Sequence, residues 1–186
     1  TALYWMTEAF VRWMAPILSF TAQEIWESMP GQRPHRFVFA VTALALPEAK
    51  GRASLDWQLI QRTKTAVNQA IEIARNAGTV KGSLSAEVTL YCDPELLRTL
   101  AQLGDELRFV TITSEARLMT SDQRPKEAIA DPDCPGLWVE VVATEAAKCE
   151  RCWHHRADVG STLAHPELCG RCVDNVEGAG EERTFA

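Results

Sequence analysis

The stretch KCERCWHH (148–155) sets Cys149 and Cys152 two residues apart, and LCGRC (168–172) repeats the spacing at Cys169 and Cys172. Sixteen residues separate the two pairs. Two intervening residues let a tight turn aim both sulfurs at one ion, with backbone N–H groups left to donate to the thiolates. Two such turns supply a closed tetrahedron, so the four cysteines predict a single structural Zn2+ site. Iron in the same cage is the chemical rival. Four protein ligands leave no position for water, which removes catalysis from the metal. A thioredoxin-like redox pair would be one CxxC opening a helix after a strand, not two pairs. His154, His155 and His165 are alternative ligands that could replace one cysteine. Residues 145–186 are too few to bury a core alone, so the metal should contribute most of their folding energy.

Trp153 directly follows a ligand pair, where it could pack against its own small domain or stack on a nucleotide base. Composition favours packing. Arg151, His154, His155, Arg156 and Arg171 lie close by in sequence and are candidates for phosphate contact.

Charge is unevenly spread along the chain. The net charge of −6 over 186 residues argues against a general nucleic-acid binder. By block, however, residues 1–32 carry −2, 33–81 carry +5, 82–148 carry −6 and 149–186 carry −3. The one basic block is where a polyanion would dock, at Arg62, Lys64, Arg75 and Lys81 among others; a solvated helix face is the plain alternative.

Upstream of the cysteines the pattern is first helical, then mixed. Leu3, Met6, Phe10, Trp13 and Met14 recur at helical spacing over 2–14, and Pro16 ends the run. Thr21 and Glu24 form a capping-box pattern, with Phe20 and Ile25 placed as a staple, for a short helix over 22–28. The aromatic stripe Trp5, Phe10, Trp13, Phe20, Trp26 reads as core. Residues 31–52 read as irregular, followed by a long helix from Ser54 to about Ala77 that Gly78 stops. Its apolar stripe is Leu55, Leu59, Thr63, Val67, Ala70, Ile71 and Ala74; its length suits a connector between domains. From Ala86 to Cys92 the alternation has period two, a half-buried strand with Cys92 facing inward. Asp93-Pro94 caps a helix that Gly104 ends, 105–113 is a further helix and 137–144 a further strand. Cys134 falls in a turn and receives no role.

Several function classes are disfavoured. No apolar run approaches the roughly 18 residues of a membrane span. No secretory signal is present, which predicts reduced thiols and a cytoplasmic location. An amphipathic pattern already running at Thr1 predicts a piece of a longer chain. No nucleophile–base pair stands out, and the GAG run at 178–180 follows no strand and is not a phosphate loop.

Together, several stretches resemble one family. VRWMAPILSFTAQEIWESMPG (11–31) is similar to the helical anticodon-binding domain of class I aminoacyl-tRNA synthetases. VKGSLSAEVTLY (80–91), LGDELRFV (103–110), KCERCWHH and LCGRCVDNVEGAGEERTFA (168–186) resemble the carboxy-terminal region of bacterial isoleucyl-tRNA synthetases. The 40–56 stretch departs from that pattern. The resemblance implies an α+β chain with the end of a helical anticodon-binding bundle (1–52), a long connecting helix (53–82), a small α+β junction unit (83–144) and a four-cysteine zinc domain (145–186). It implies a monomeric parent enzyme that uses ATP to attach isoleucine to its tRNA. The HIGH-type and KMSKS-type signatures of that chemistry are missing from this sequence, as is the editing domain. The implied task is therefore to hold the anticodon stem-loop of tRNA(Ile). In that setting Trp153 becomes an RNA contact, together with Arg151, His154, Arg156, Arg171, Arg62, Lys64, Arg75 and Lys81. The alternative is a zinc-stabilised module that docks on the remainder of the parent synthetase chain without touching RNA.

Overall fold

Alternating apolar residues over 86–92 produce a central strand with a neighbour on each side. The computed structural model describes residues 2–42, 44–46 and 55–185. Ser54 as a helix start, Lys50 and Arg52 of the basic block, and the 52/53 boundary lie outside the described residues. The described residues fall into two compact units, within Thr1–Ser54 and within Leu55–Ala186.

The first unit is helical. Helix α1 (Ala2–Met14) and helix α2 (Ser19–Ser28) close on Val11, Ala15, Ala22, Trp26, Met29 and Val38. Only Trp26 of the expected aromatic stripe belongs to that core. Phe20 is 87% exposed and Trp13 62%, while Trp5 and Phe10 are also exposed. The pair of helices has one shared face and buries one side of α1, so the stripe turned the other way stays uncovered in this unit. The capping box is likewise not formed. The backbone resumes helical turns straight after Pro16, so Leu18 is the N-cap, no side chain caps it, and Thr21 lies inside the helix.

A polar network lies beneath these helices. The Glu8 carboxylate, 4% exposed, accepts from Arg12 and from Arg33 Nη1 at 2.8 Å. Arg33 Nη2 also donates to the Tyr4 hydroxyl, and the Arg33 guanidinium lies 5.0 Å from the Trp26 ring. Trp26 Nε1 donates to the His35 carbonyl. Arg33, counted with the basic block, is therefore an internal counter-ion rather than a surface cation.

In the second unit, helix α3 (Trp57–Asn76) starts at Asp56, whose side chain accepts from Leu59 N. Gly78, at φ +76, ends it. It buries Ile60, Thr63, Ala66, Val67, Ala70 and Ile71. These side chains share one core with the sheet residues Val88, Leu90, Leu137 and Val139, so the helix is a layer over the sheet.

The sheet has the order β2-β1-β4-β3. Strand β1 (Ala86–Cys92) pairs parallel with β2 (Glu115–Thr120) and antiparallel with β4 (Leu137–Ala143), which carries the short β3 (Ile129–Ala130) on its far side. Helix α4 (Pro94–Ala101), capped by Asp93, and helix α5 (Leu107–Thr111) form the crossover between the parallel strands. The helix expected over 105–113 is shorter. A 3-10 turn at Gly104–Glu106 precedes α5, and Ile112 at φ +56 closes it. Cys92 and Cys134 are both buried in this core, and burial raises both thiols, Cys92 to about 12. No helix among the described residues is long and apolar enough to cross a membrane.

Candidate metal centre and its surroundings

Residues 148–155 fold back on themselves as the first knuckle. Cys149 N donates to the His154 carbonyl and Trp153 N to the Cys149 carbonyl, at 2.9 and 2.8 Å. The turn requires φ +65 at Trp153, a left-handed conformation that disfavours bulky side chains. The second knuckle runs into helix α6 (Gly170–Glu177), for which Cys169 is the N-cap. Glu150 N donates to the Glu167 carbonyl and Gly170 N to Asp158 Oδ2, tying the two knuckles together.

This brings the four sulfurs of Cys149, Cys152, Cys169 and Cys172 within 4.8 Å of one another. All four are free thiols; Cys149, Cys169 and Cys172 are buried and Cys152 is half-buried. A tetrahedral zinc ion with arms of about 2.3 Å needs sulfur–sulfur edges of about 3.8 Å. Cys152 and Cys169 Sγ lie 3.8 Å apart. The donor set fits zinc in kind, number and spacing. At Cys149 burial works upward, but backbone N–H groups of Cys152, Cys169 and Arg151 outweigh it and bring the thiol down to about 6. Burial pushes Cys169 up to about 12. A divalent cation resolves this conflict by ionising all four sulfurs together.

The histidines are elsewhere. His155 uses its backbone N–H on Ser114 Oγ and its Nδ1 on the Ala146 carbonyl. His165 pairs with Glu177. His154 sits beside the Cys152 carbonyl and edge-on to Phe109, 5.9 Å between centroids. Burial holds its pKa below the ordinary histidine value. None of the three enters the sulfur cluster.

The basic residues near the cage divide into two groups. Arg156 pairs with Glu115 at 2.8 Å and donates to the Ser114 carbonyl, and Arg171 pairs with Glu181 at 2.9 Å and lies over the Phe109 ring. These contacts fasten the zinc segment to the beginning of β2 and to α5. Trp153 instead faces outward, and Arg151, exposed along its stem, turns its guanidinium back onto the cage. Trp153 is 59% exposed, with Lys148 Nζ 5.6 Å from its ring, and Arg151 Nη1 approaches Cys172 Sγ at 3.7 Å. Arg62, Arg75 and Lys81 are exposed and Lys64 half-buried; Arg75 makes a surface pair with Glu72. Thus the structure gathers Arg156, Arg171 and His154 at an internal seam and leaves Trp153 and Arg151 at the surface. Ser114, Glu106 and Phe109, which form the other side of that seam, carry no local signal, because their partners across it lie 41 to 79 positions away.

A closed four-thiolate finger seated on an α+β unit, in a chain that opens with paired helices, defines a class that the family comparisons specify. Residues 1–90 match the anticodon-binding domain of tRNA ligases, and residues 147–175 match the zinc finger found in FPG and IleRS. The chain is 54% identical over 191 aligned positions to isoleucine–tRNA ligase of Alcanivorax borkumensis and 50% identical over 189 and 192 to those of Saccharophagus degradans and Shewanella amazonensis. Each match takes in the whole chain and 20% of the relative. Over its whole length the chain is similar to isoleucine–tRNA ligases, and it spans about a fifth of the length of the relatives it matches.

Proposed function

We propose that this chain is the carboxy-terminal, tRNA-binding region of an isoleucine–tRNA ligase, and that it holds the anticodon stem-loop of tRNA(Ile). The observation that carries this reading is the anticodon-binding match over residues 1–90 joined to whole-chain identity with isoleucine–tRNA ligases. In this reading the region is non-catalytic. ATP and isoleucine are handled by the rest of a monomeric, cytoplasmic ligase chain. One structural zinc ion holds the knuckles and presents Trp153.

The backbone at Trp153 supports the RNA role. A large side chain in a left-handed position costs roughly 1–2 kcal/mol. Here it gains little burial in return, since the ring is mostly exposed. Local strain without local packing is the pattern of a residue retained for a ligand. Stacking of an unpaired base on such a ring contributes about 1–3 kcal/mol. Arg151, Arg62, Lys64, Arg75 and Lys81 would add phosphate contacts; the exposed Arg75–Glu72 pair is weak enough to exchange. Arg156, Arg171 and His154 contribute indirectly, by seating the finger.

The test is titration of an isoleucine anticodon stem-loop into the zinc-loaded chain across a salt series. Trp153→Gly should retain zinc and thermal stability yet weaken binding about tenfold or more. Arg62→Ala and Arg75→Ala should each flatten the salt slope by about one. Absence of binding at low salt, or binding indifferent to all three substitutions, would overturn the reading. A second reading has one specific observation in its favour: the salt bridges of Arg156 and Arg171 point inward. On that reading the finger is a docking module for the ligase and binding is unaffected at Trp153.

A further inference from the structure

The chain beyond the second knuckle turns back on itself. Gly180, at φ +84, makes the turn, and Glu181 then lies against α6, its N–H on Asn175 Oδ1 at 3.1 Å and its carboxylate on Arg171 at 2.9 Å. The GAG run is thus a hairpin-like return, which accounts for its glycine at 180. The next residues reach α5. Thr184 N and Phe185 N both donate to the Glu106 carboxylate, at 2.6 Å each. Phe185 packs against the sheet's core. The Arg183 guanidinium lies 3.9 Å from the Phe109 ring centroid, with Arg108 at 4.2 Å and Arg171 at 5.0 Å. Phe109 also meets His154, within the first knuckle.

Between them, Glu106 and Phe109 therefore touch both ends of the zinc segment: the first knuckle at His154 and the returning stretch at 183–185. We propose that they form a receptor for the chain's own residues 181–185, and that seating this stretch latches the zinc finger onto the α+β unit. One carboxylate accepting two successive backbone N–H groups reads backbone shape, as anion sites at helix N-termini do in reverse. Phe109 supplies a ring face for guanidiniums from three different parts of the chain. Arg171 links the two halves, because it lies against both Glu181 and Phe109 and one residue from Cys172. A latched finger opens less often, so the metal escapes more slowly.

Zinc transfer from the loaded protein to a chromogenic chelator measures this directly. Glu106→Ala and Phe185→Ala should each speed release at least about fivefold, and the double variant little more than either, as expected for partners in one device. Glu182→Ala, at an exposed neighbour, should match the parent. Amide hydrogen exchange supplies the second measurement. Protection should fall at 148–156 and 181–185 in both variants and persist in β1 and β4. Unchanged zinc release in Glu106→Ala and Phe185→Ala, or loss of protection spread evenly through the sheet, would overturn the latch. Neither result bears on whether the region binds RNA, since no RNA is present.

Discussion

Glu8 is the residue on which the first unit depends. Burial alone would raise its pKa, but the guanidiniums of Arg12 and Arg33 win and hold it below the ordinary carboxylate value of 4.5. A lowered folded pKa contributes stability that is present above the ordinary value and is lost as pH falls through the folded one. Replacing Glu8 by Gln leaves two half-buried guanidiniums without a counter-charge, which should cost about 2 kcal/mol at pH 7. In thermal unfolding, the gap between parent and Glu8→Gln should be widest at pH 7 and should narrow as the pH falls below 4.5 and the parent's own carboxyl takes up its proton. A gap independent of pH would assign the loss to packing instead. In the sequence Arg33 is one cation of the basic block over 33–81, and nothing local marks its partner; the contact with Glu8 spans 25 positions. The cysteine cage is legible for the opposite reason: its ligands come as two local pairs, and each knuckle is a short-range structure.

Among the elements, α4 shows how one turn is set by another. Asp93 caps α4 through Leu96 N, and its own N–H donates to the Gly136 carbonyl at 2.9 Å. Gly136 stands at φ +84, and a Cβ there would clash with Asp93 Oδ2. Asp93→Ala should cost about 1 kcal/mol, as loss of an N-cap. Gly136→Ala should cost more, about 2–3 kcal/mol, because it combines backbone strain with displacement of the cap. The double variant should be less destabilised than the two losses added, since the clash needs the Asp93 side chain. Chemical denaturation of the three variants measures this. Strands β1 and β4 can be read from alternation, but β2 cannot. Its sequence EARLMT buries only Ala116 and Leu118 in part against the core, at a sheet edge, so its pattern is weak. The aromatic stripe misleads for a related reason. Helical spacing shows that residues share a face and does not show that anything in the unit covers it.

Among the described residues, three hydrophobic clusters serve the two units and the finger. The finger's own cluster consists of little more than its cysteines with Val159 and Leu168, so the metal rather than apolar burial must hold it. Chelation of the zinc-loaded chain should therefore remove amide protection over 147–175 while β1, β4 and α3 remain protected. Collapse of the sheet together with the finger would contradict this division. Fold class and the four-cysteine cluster are readable from sequence because both follow from short-range periodicity and spacing. The seam joining finger to sheet is not, since Ser114, Glu115, Phe109 and Glu106 acquire their roles only once β2 and α5 are in place.

The cage also has a place in time. Its four ligands span 23 positions, whereas pairing β1 with β4 joins residues 45 to 57 positions apart. Closing a short loop is faster and entropically cheaper than closing a long one, and topologies rich in distant pairings fold slowly. The knuckles can thus gather around their ion while the sheet is still searching for its register. His155 and Arg156 then find Ser114 and Glu115 only after β2 has joined β1. The finger matures first as an independent knot and is moored later, so a newly made chain can capture its zinc before it is fully folded.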